Sequence, residues 1–427
     1  MHADNEKRYS EIGKGKTRVM DKSNRLLLII FIVAIIVFAV LAVVLEQVIF
    51  NPGRANVSTP TPIPTFPIGN HHKKTPTPGP GLTPVATGRP YVQGTQIIDG
   101  AGHRLILKGA QIESPFNYIK GWQAGQNPSK VLNSSVFQAM AQQWKMNALR
   151  LPISNWIYAL NPTAYLARLD PIVREANSAG LYVILDLHDD GQSGSLYGNN
   201  ADLPKTQSVT FWKAIAAHYV NDSMVMFDVF NEPKDTDWQT WLHGGGTVGG
   251  ATIVGFQDLV DAIRSAGAKQ IIIVEPGSAG GGSPSAAGWA TIGSNTINDP
   301  NIVYSLHTYS GIIESPQQQD AKWGPILNHH PIYYGEWALL TNGYGAVGYD
   351  HCKNIPQNQA DQIVNAFLNY MASRNASWTA WEFTPYHLIQ DYSTFTPTTL
   401  DMPWTCGDIN SRAGMGALVK QFLFNGA

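Results

Sequence analysis

Eight short apolar runs recur between residues 105 and 381, each followed by a stretch with helical patterning. They are Leu105–Gly109, Ala148–Pro152, Tyr182–His188, Val225–Phe230, Ile271–Val274, Ile302–His307, Ile332–Gly335 and Trp378–Trp381. Near-continuous apolar runs suit parallel strands covered on both faces. Helical candidates lie between them: Pro171–Ala179 before Gly180, Gln207–Tyr219, Ala251–Ala266 before Gly267, and Gln359–Ser373. The repeat is mostly about 30–45 residues, the size of a strand–helix–strand unit. Eight such units predict one (β/α)8 TIM barrel over residues 90–427. A doubly wound open sheet is disfavoured, because no glycine-rich phosphate fingerprint follows the first run.

The chain ahead of the barrel is of another kind. Residues 1–25 form a basic tail with seven Lys and Arg. Leu26–Leu45 is an unbroken apolar run of 20 residues, long enough to cross a hydrocarbon core of about 30 Å as a helix. The basic flank predicts a single-pass anchor in the cell membrane, with the N-terminus cytoplasmic and the barrel extracellular. Secretion after signal cleavage is the alternative, but a signal's apolar region is about 7–15 residues and precedes a small-residue site. Glu46–Phe50 offers no such site. Residues 46–89 read as a linker in which Thr-Pro recurs, a semi-rigid stalk.

The formal net charge of −2 sums unlike parts. The first 89 residues hold eleven bases and five acids, which leaves −8 on the barrel, where all 12 Trp also lie. An acidic, Trp-rich domain argues against nucleic acid as a partner. Two cysteines exclude a disulfide framework and most cysteine-based metal sites. Cys352 and Cys406 fall in loops after the seventh and eighth runs, where a bridge between neighbouring loops is expected.

In a barrel of this kind, chemistry sits at the C-terminal ends of the strands. Polar and aromatic groups gather there: Arg150, His188-Asp189-Asp190, Asn231-Glu232-Pro233, His307 and Tyr309, Glu336-Trp337, and Trp381-Glu382. Each alone has a bland reading as an ion pair, a cap neighbour or a core residue; together they converge on one rim. Glu232 and Glu336, from the fourth and seventh runs, face each other across such a barrel. Paired carboxylates without a cofactor motif or metal-ligand set suit glycosidic bond cleavage, where one acid protonates the leaving oxygen and the second attacks or activates water.

The stretches NALRLP, YVILDLHDD, VMFDVFNEP, VYSLHTY, IYYGEW and SWTAWEF occur in the order and spacing of glycoside hydrolase family 5, the cellulase family, which residues 92 to about 424 resemble. The resemblance implies a retaining, endo-acting β-glycoside hydrolase without cofactor or metal, expected to act as a monomer on a polysaccharide. It implies Glu232 as acid/base and Glu336 as nucleophile. Asn231 would bind the sugar 2-hydroxyl, Arg150 and Tyr309 would hold Glu336, His188 and His307 would line the cleavage subsite, and Trp381 would stack on a sugar ring. The resemblance leans towards a β-1,4-glucan; mannan or glucomannan, xyloglucan and β-1,3-glucan remain open. A metal-dependent hydrolase would want a His-x-His in the first run, which reads Leu105-Ile106-Leu107. A non-catalytic carbohydrate-binding protein is the more distant rival.

Three features stand outside this pattern. Glu275 at the fifth run reads as structural or hydroxyl-binding, since it has no Asn partner and Pro276-Gly277 follows. The run Gly244–Gly250 reads as a flexible loop, and Trp238 and Trp241 before it as a distal sugar platform or a hydrophobic cap. Asp189-Asp190-Gly191 is an acidic loop without an assigned role.

Overall fold

A computed structural model describes residues 88–116, 131–189, 203–234, 236–248, 251–277, 288–339, 357–385, 387–399 and 414–425. The apolar segment Leu26–Leu45, most of the stalk, Cys352 and Cys406 lie outside the described residues. Among the described residues no helix is long and apolar enough to cross a membrane.

Eight parallel strands close into a barrel: β1 (Lys108–Gln111), β2 (Ala148–Ser154), β3 (Tyr182–Asp189), β4 (Val225–Asp228), β5 (Ile272–Val274), β6 (Ile302–Thr308), β7 (Ile332–Trp337) and β8 (Ser377–Ala380). Each pairs with the next, and β8 returns to β1 through Trp378–Lys108 and Ala380–Ala110. Helices between the strands include α1 (Pro162–Ser178), α2 (Thr206–His218), α3 (Trp238–His243), α4 (Phe256–Ser265) and α5 (Gln357–Ser373).

Side-chain alternation sorts the strands into two cores. Leu149, Val183, Phe227, Ile272, Tyr304 and Tyr334 point outwards into the main cluster, where the helices pack. Ala148, Ile184, Met226, Ile273, Val303 and Tyr333 form a second cluster inside the barrel. Ile97 and Leu107 join that inner cluster at the strands' N-terminal ends. Ile97 belongs to a small antiparallel sheet (Tyr91–Gln93, Gln96–Ile98, Arg104–Leu105) that plugs the barrel floor.

Three expected boundaries move, one of them at Ala251, where a strand to Val254 precedes a helix that begins only at Phe256. The first barrel strand is Lys108–Gln111 rather than Leu105–Gly109, because Leu105 pairs with Ile97 in the plug. The helix expected to begin at Pro171 begins at Pro162, with Asn161 accepting the Ala164 N–H as its cap. Its face Tyr165, Leu169, Ile172, Val173 and Ala176 is buried, and that packing carries the helix through Pro171. The glycine run is also ordered where described: Gly244–Val248 pairs antiparallel with Ala251–Val254. Gly244 has φ +70°, and a Cβ there would meet the Ile253 carbonyl oxygen at 2.6 Å, so glycine is what lets the hairpin close.

Candidate active site

The inner row of each strand changes character as it climbs. Ala148 is followed inwards by Arg150, Ile184 by Asp186 and His188, Met226 by Asp228, Ile273 by Glu275, and Val303 by Ser305 and His307. The period-2 alternation that fills the floor with apolar groups thus places an ionic pit at the C-terminal end. All of these polar side chains are buried.

Arg150 is the hub. Its Nη1 donates to Glu336 Oε1 at 2.6 Å, its Nε to Asp228 Oδ2 at 3.0 Å, and its Nη2 to Asn231 Oδ1 at 2.9 Å. Asp186 Oδ1 and Glu275 Oε1 stand 3.0 and 3.3 Å from the same Nη2. Burial would lower the guanidinium's pKa, but the surrounding carboxylates raise it well above its ordinary value. Asp228 is driven the other way from a free carboxylate: burial, only partly offset by Arg150, pushes it well up.

Glu336 reaches the pit through a bulge. Leu306 pairs with Tyr334 but His307 pairs with Glu336, so β7 carries one extra residue at Gly335. The Tyr309 hydroxyl donates to Glu336 Oε2 at 2.5 Å. Burial alone would raise the pKa of Glu336; the charges of His307, Arg150 and His188, with the Tyr309 hydrogen bond, bring it below the ordinary value. Glu232 lies opposite, at φ +43°, with Oε1 3.0 Å from His307 Nδ1. Burial raises its pKa, and the contact with His307 only tempers the rise. One oxygen of Glu232 and one of Glu336 lie within 4.8 Å of each other. The pit therefore holds one glutamate that favours its proton and one that favours its charge.

The remaining expected residues take their places around this pair. His188 Nδ1 is 2.7 Å from Asp186 Oδ2; burial would lower its pKa, but the charge and hydrogen bond of Asp186 together with the charge of Glu336 raise it. Asn231 Nδ2 is buried without a hydrogen-bond partner. Trp381 is half-buried, edge-on to Tyr309 with ring centroids 6.3 Å apart. Its neighbour Glu382 is pushed up to about 8, by burial first and then by the charge of Glu113.

Glu232, His307 and Glu336 could each offer one atom to a metal ion. Both ring nitrogens of His307 face carboxylates, Nδ1 at 3.0 Å from Glu232 Oε1 and Nε2 at 2.7 Å from Glu275 Oε1. Trp241 is fully buried and packs on Phe256 and Trp289, which makes it part of a hydrophobic cap. Trp238 stacks on Trp289 and donates to Thr291. The Asp190-Gly191 part of the acidic loop lies outside the described residues.

Strand-end reading did not single out Asp186, Asp228 or Gln111, whose Oε1 accepts from Arg150 Nη1, and it placed Glu275 apart from the site. Parity carried the signal for one of them, since counting back by two from His188 reaches Asp186; Gln111, Asp228 and Glu275 stand on runs that hold no such marker.

The model of the Cellulase family, glycosyl hydrolase family 5, matches residues 108–387, which contain every one of these side chains. The chain belongs to that family. Among curated family 5 relatives, it is 26% identical over 330 residues to Endoglucanase E-5 of Thermobifida fusca, covering 74% of this chain and 62% of that protein. It is 26% identical over 284 residues to Endoglucanase EG-II of Hypocrea jecorina, covering 61% of this chain and 62% of that one. The chain thus spans less than two thirds of the length of these relatives. A beta-glucanase from Saccharophagus degradans, solved in complex with cellotetraose, shares the barrel with a TM-score of 0.57 at 23% identity, over 82% of this chain and 98% of that one. The catalytic domain of the Thermobifida fusca endoglucanase Cel5A matches with a TM-score of 0.52 at 21% identity, over 79% and 97%.

Proposed function

We propose that this family 5 chain is a retaining endo-β-1,4-glucanase working by double displacement. The observation that carries this reading is the opposed pair Glu232 and Glu336, with oxygens within 4.8 Å of each other and pKa values driven apart. Retaining enzymes hold their carboxyls about 5–5.5 Å apart, whereas inverting enzymes leave about 6.5–9.5 Å for a water. The names of the curated relatives, endoglucanases at 26% identity, support a β-1,4-glucan as substrate.

In the first step Glu336 Oε attacks the anomeric carbon while Glu232 gives its proton to the glycosidic oxygen. The C–O bond breaks, the aglycone leaves as an alcohol, and a glycosyl ester forms on Glu336. In the second step Glu232, now a carboxylate, takes a proton from water as that water attacks the anomeric carbon. The product carries its original configuration, Glu336 is released as a carboxylate, and Glu232 is again an acid. Asn231 Nδ2, free of protein partners, is placed to donate to the sugar 2-hydroxyl, and Trp381 offers its face to a ring.

The test is product analysis on carboxymethylcellulose, glucomannan, mannan, xyloglucan and β-1,3-glucan, with proton NMR of the first anomer formed. Fastest loss of viscosity on carboxymethylcellulose and a β-anomer are expected; an α-anomer overturns the mechanism, and preference for another polymer overturns the substrate. Glu232→Gln and Glu336→Gln are each expected to lower turnover by about 10³-fold or more with an unchanged fold.

We also propose that Leu26–Leu45 holds the barrel on the outer face of the cell membrane, on the strength of its length and its basic flank. The full chain should resist carbonate extraction and lose its barrel to protease added outside intact cells. Release of the barrel into the medium as a processed form would replace the anchor by a cleaved signal.

A further inference from the structure

Glu275 is 2% exposed and continues the inner row of β5, two residues above Ile273. Each of its polar parts is engaged. Oε2 accepts the backbone N–H of Glu232 at 2.8 Å, and Oε1 stands 2.7 Å from His307 Nε2. Its carbonyl accepts from Trp241 Nε1 at 2.9 Å, and that indole is packed against Phe256 with ring centroids 4.7 Å apart. Glu275 lies just past the end of β5 at Val274, and Pro276, which has no N–H for a ladder, follows it. The main chain that carries this carboxylate is therefore anchored to the aromatic cap.

We propose that Glu275 is a positioning residue for the acid/base glutamate, gripping Glu232 by its main chain and presenting His307 to its side chain. The proposal rests on the two-glutamate reading given above and adds a third carboxylate to it. The main-chain grip matters because Glu232 sits at φ +43°, a left-handed conformation that is unfavourable for a residue with a Cβ. A charge-assisted hydrogen bond to that very N–H offsets the cost and fixes where the side chain departs. The ring contact matters because Nε2 facing Glu275 leaves Nδ1 facing Glu232 Oε1, 3.0 Å away. When Glu232 has given its proton to the leaving oxygen, an Nδ1–H of His307 can donate to the new carboxylate while Glu275 balances the imidazolium from the far side. No bond to Glu275 forms or breaks at any step. Burial opposes a charged His307, but the charges of Glu275 and Glu336 outweigh it and raise its pKa well above the ordinary value.

The test compares kcat/KM on two aryl β-cellobiosides, which reports the first displacement alone. The phenyl glycoside needs a proton on its leaving group, and the 2,4-dinitrophenyl glycoside does not. Glu232→Gln serves as the internal control and should lose activity on the phenyl substrate far more than on the dinitrophenyl one. Glu275→Gln, isosteric but unable to charge, is expected to follow the same pattern, losing about 10²-fold on the phenyl substrate and far less on the other. Equal losses on both substrates, or none, overturn the proposal, since a purely structural role cannot sense the leaving group. If Glu232→Gln itself lacks the pattern, it is the two-glutamate reading that falls. Should thermal melting show Glu275→Gln to be unfolded, Glu275→Asp, which keeps the charge but shortens the reach, takes the same comparison with the same criteria.

Discussion

Gly335 lies directly against the His307 ring: a Cβ at position 335 would stand 2.8 Å from Nε2 of His307 and 2.8 Å from Oγ of Ser305. A side chain there would force a shift, and both neighbours are buried residues of β6. The glycine of the Gly-Glu-Trp motif is thus required by the imidazole one strand away. Gly335→Ala should cost about 1–3 kcal/mol by overpacking and displace His307 from Glu232. Urea unfolding together with kcat/KM on a cellulose oligosaccharide checks both effects, and a variant of normal activity would show that the ring has room to move.

Tyr309→Phe should move the acidic limb of the pH profile upwards. The Tyr309 hydroxyl donates to the charged form of Glu336 and helps hold its pKa below the ordinary value. Without that donor the carboxylate takes up its proton at higher pH, so activity begins to fall earlier on acidification. The alkaline limb, which follows loss of the proton from Glu232, should shift much less. The profile of kcat/KM against pH reads both limbs.

Replacement of Arg150 should be among the most damaging changes to stability. The guanidinium stands against Asp186, Asp228, Glu275 and Glu336 at 2.6–3.3 Å, all buried. Removing one partner of a buried ionic cluster leaves uncompensated charge and costs about 3–5 kcal/mol. Arg150→Lys should recover little, because a point charge cannot match the fork that spans these oxygens. Denaturant midpoints for Arg150→Lys and Arg150→Ala measure the difference.

Trp381→Ala should weaken binding more than turnover. The indole is half-buried and meets Tyr309 only edge-on. A lost stacking partner is worth about 0.5–1.5 kcal/mol, so KM should rise up to about tenfold. A fall in kcat with KM unchanged would place Trp381 with the reacting groups instead.

The barrel was legible because its strands are short and apolar on both faces, so that runs such as Ile271–Val274 stand out from composition alone. The first strand was less legible. Lys108-Gly109-Ala110-Gln111 has no apolar run, and its small residues suit the close approach of Ala148, whose carbonyl oxygen a Cβ on Gly109 would meet at 1.9 Å. Of the site, Arg150, His188, Asn231, Glu232, His307, Tyr309 and Glu336 come together as the strand ends predicted. Their support does not stand at strand ends. Asp186 lies two residues below His188 and Asp228 three below Asn231, inside runs that read as core. Glu275 was read as structural or hydroxyl-binding, and its contacts with a main-chain N–H and an imidazole from two other strands are ones that no local pattern around β5 encodes. Glu336 itself defeats simple parity, since the bulge at Gly335 turns it inwards one residue out of phase.

The inner rows make each strand a ruler. Two residues climb about 6.6 Å, which is all that separates Ala148 from Arg150 or Ile273 from Glu275. Deleting one residue within such a strand would turn its floor residue and its pit residue outwards together, so folding and chemistry would fail in a single event. Insertions beyond the strand ends move neither row. The rim loops can therefore change length without disturbing either row, whereas the wall accepts an extra residue only where a bulge absorbs it, as β7 does at Gly335.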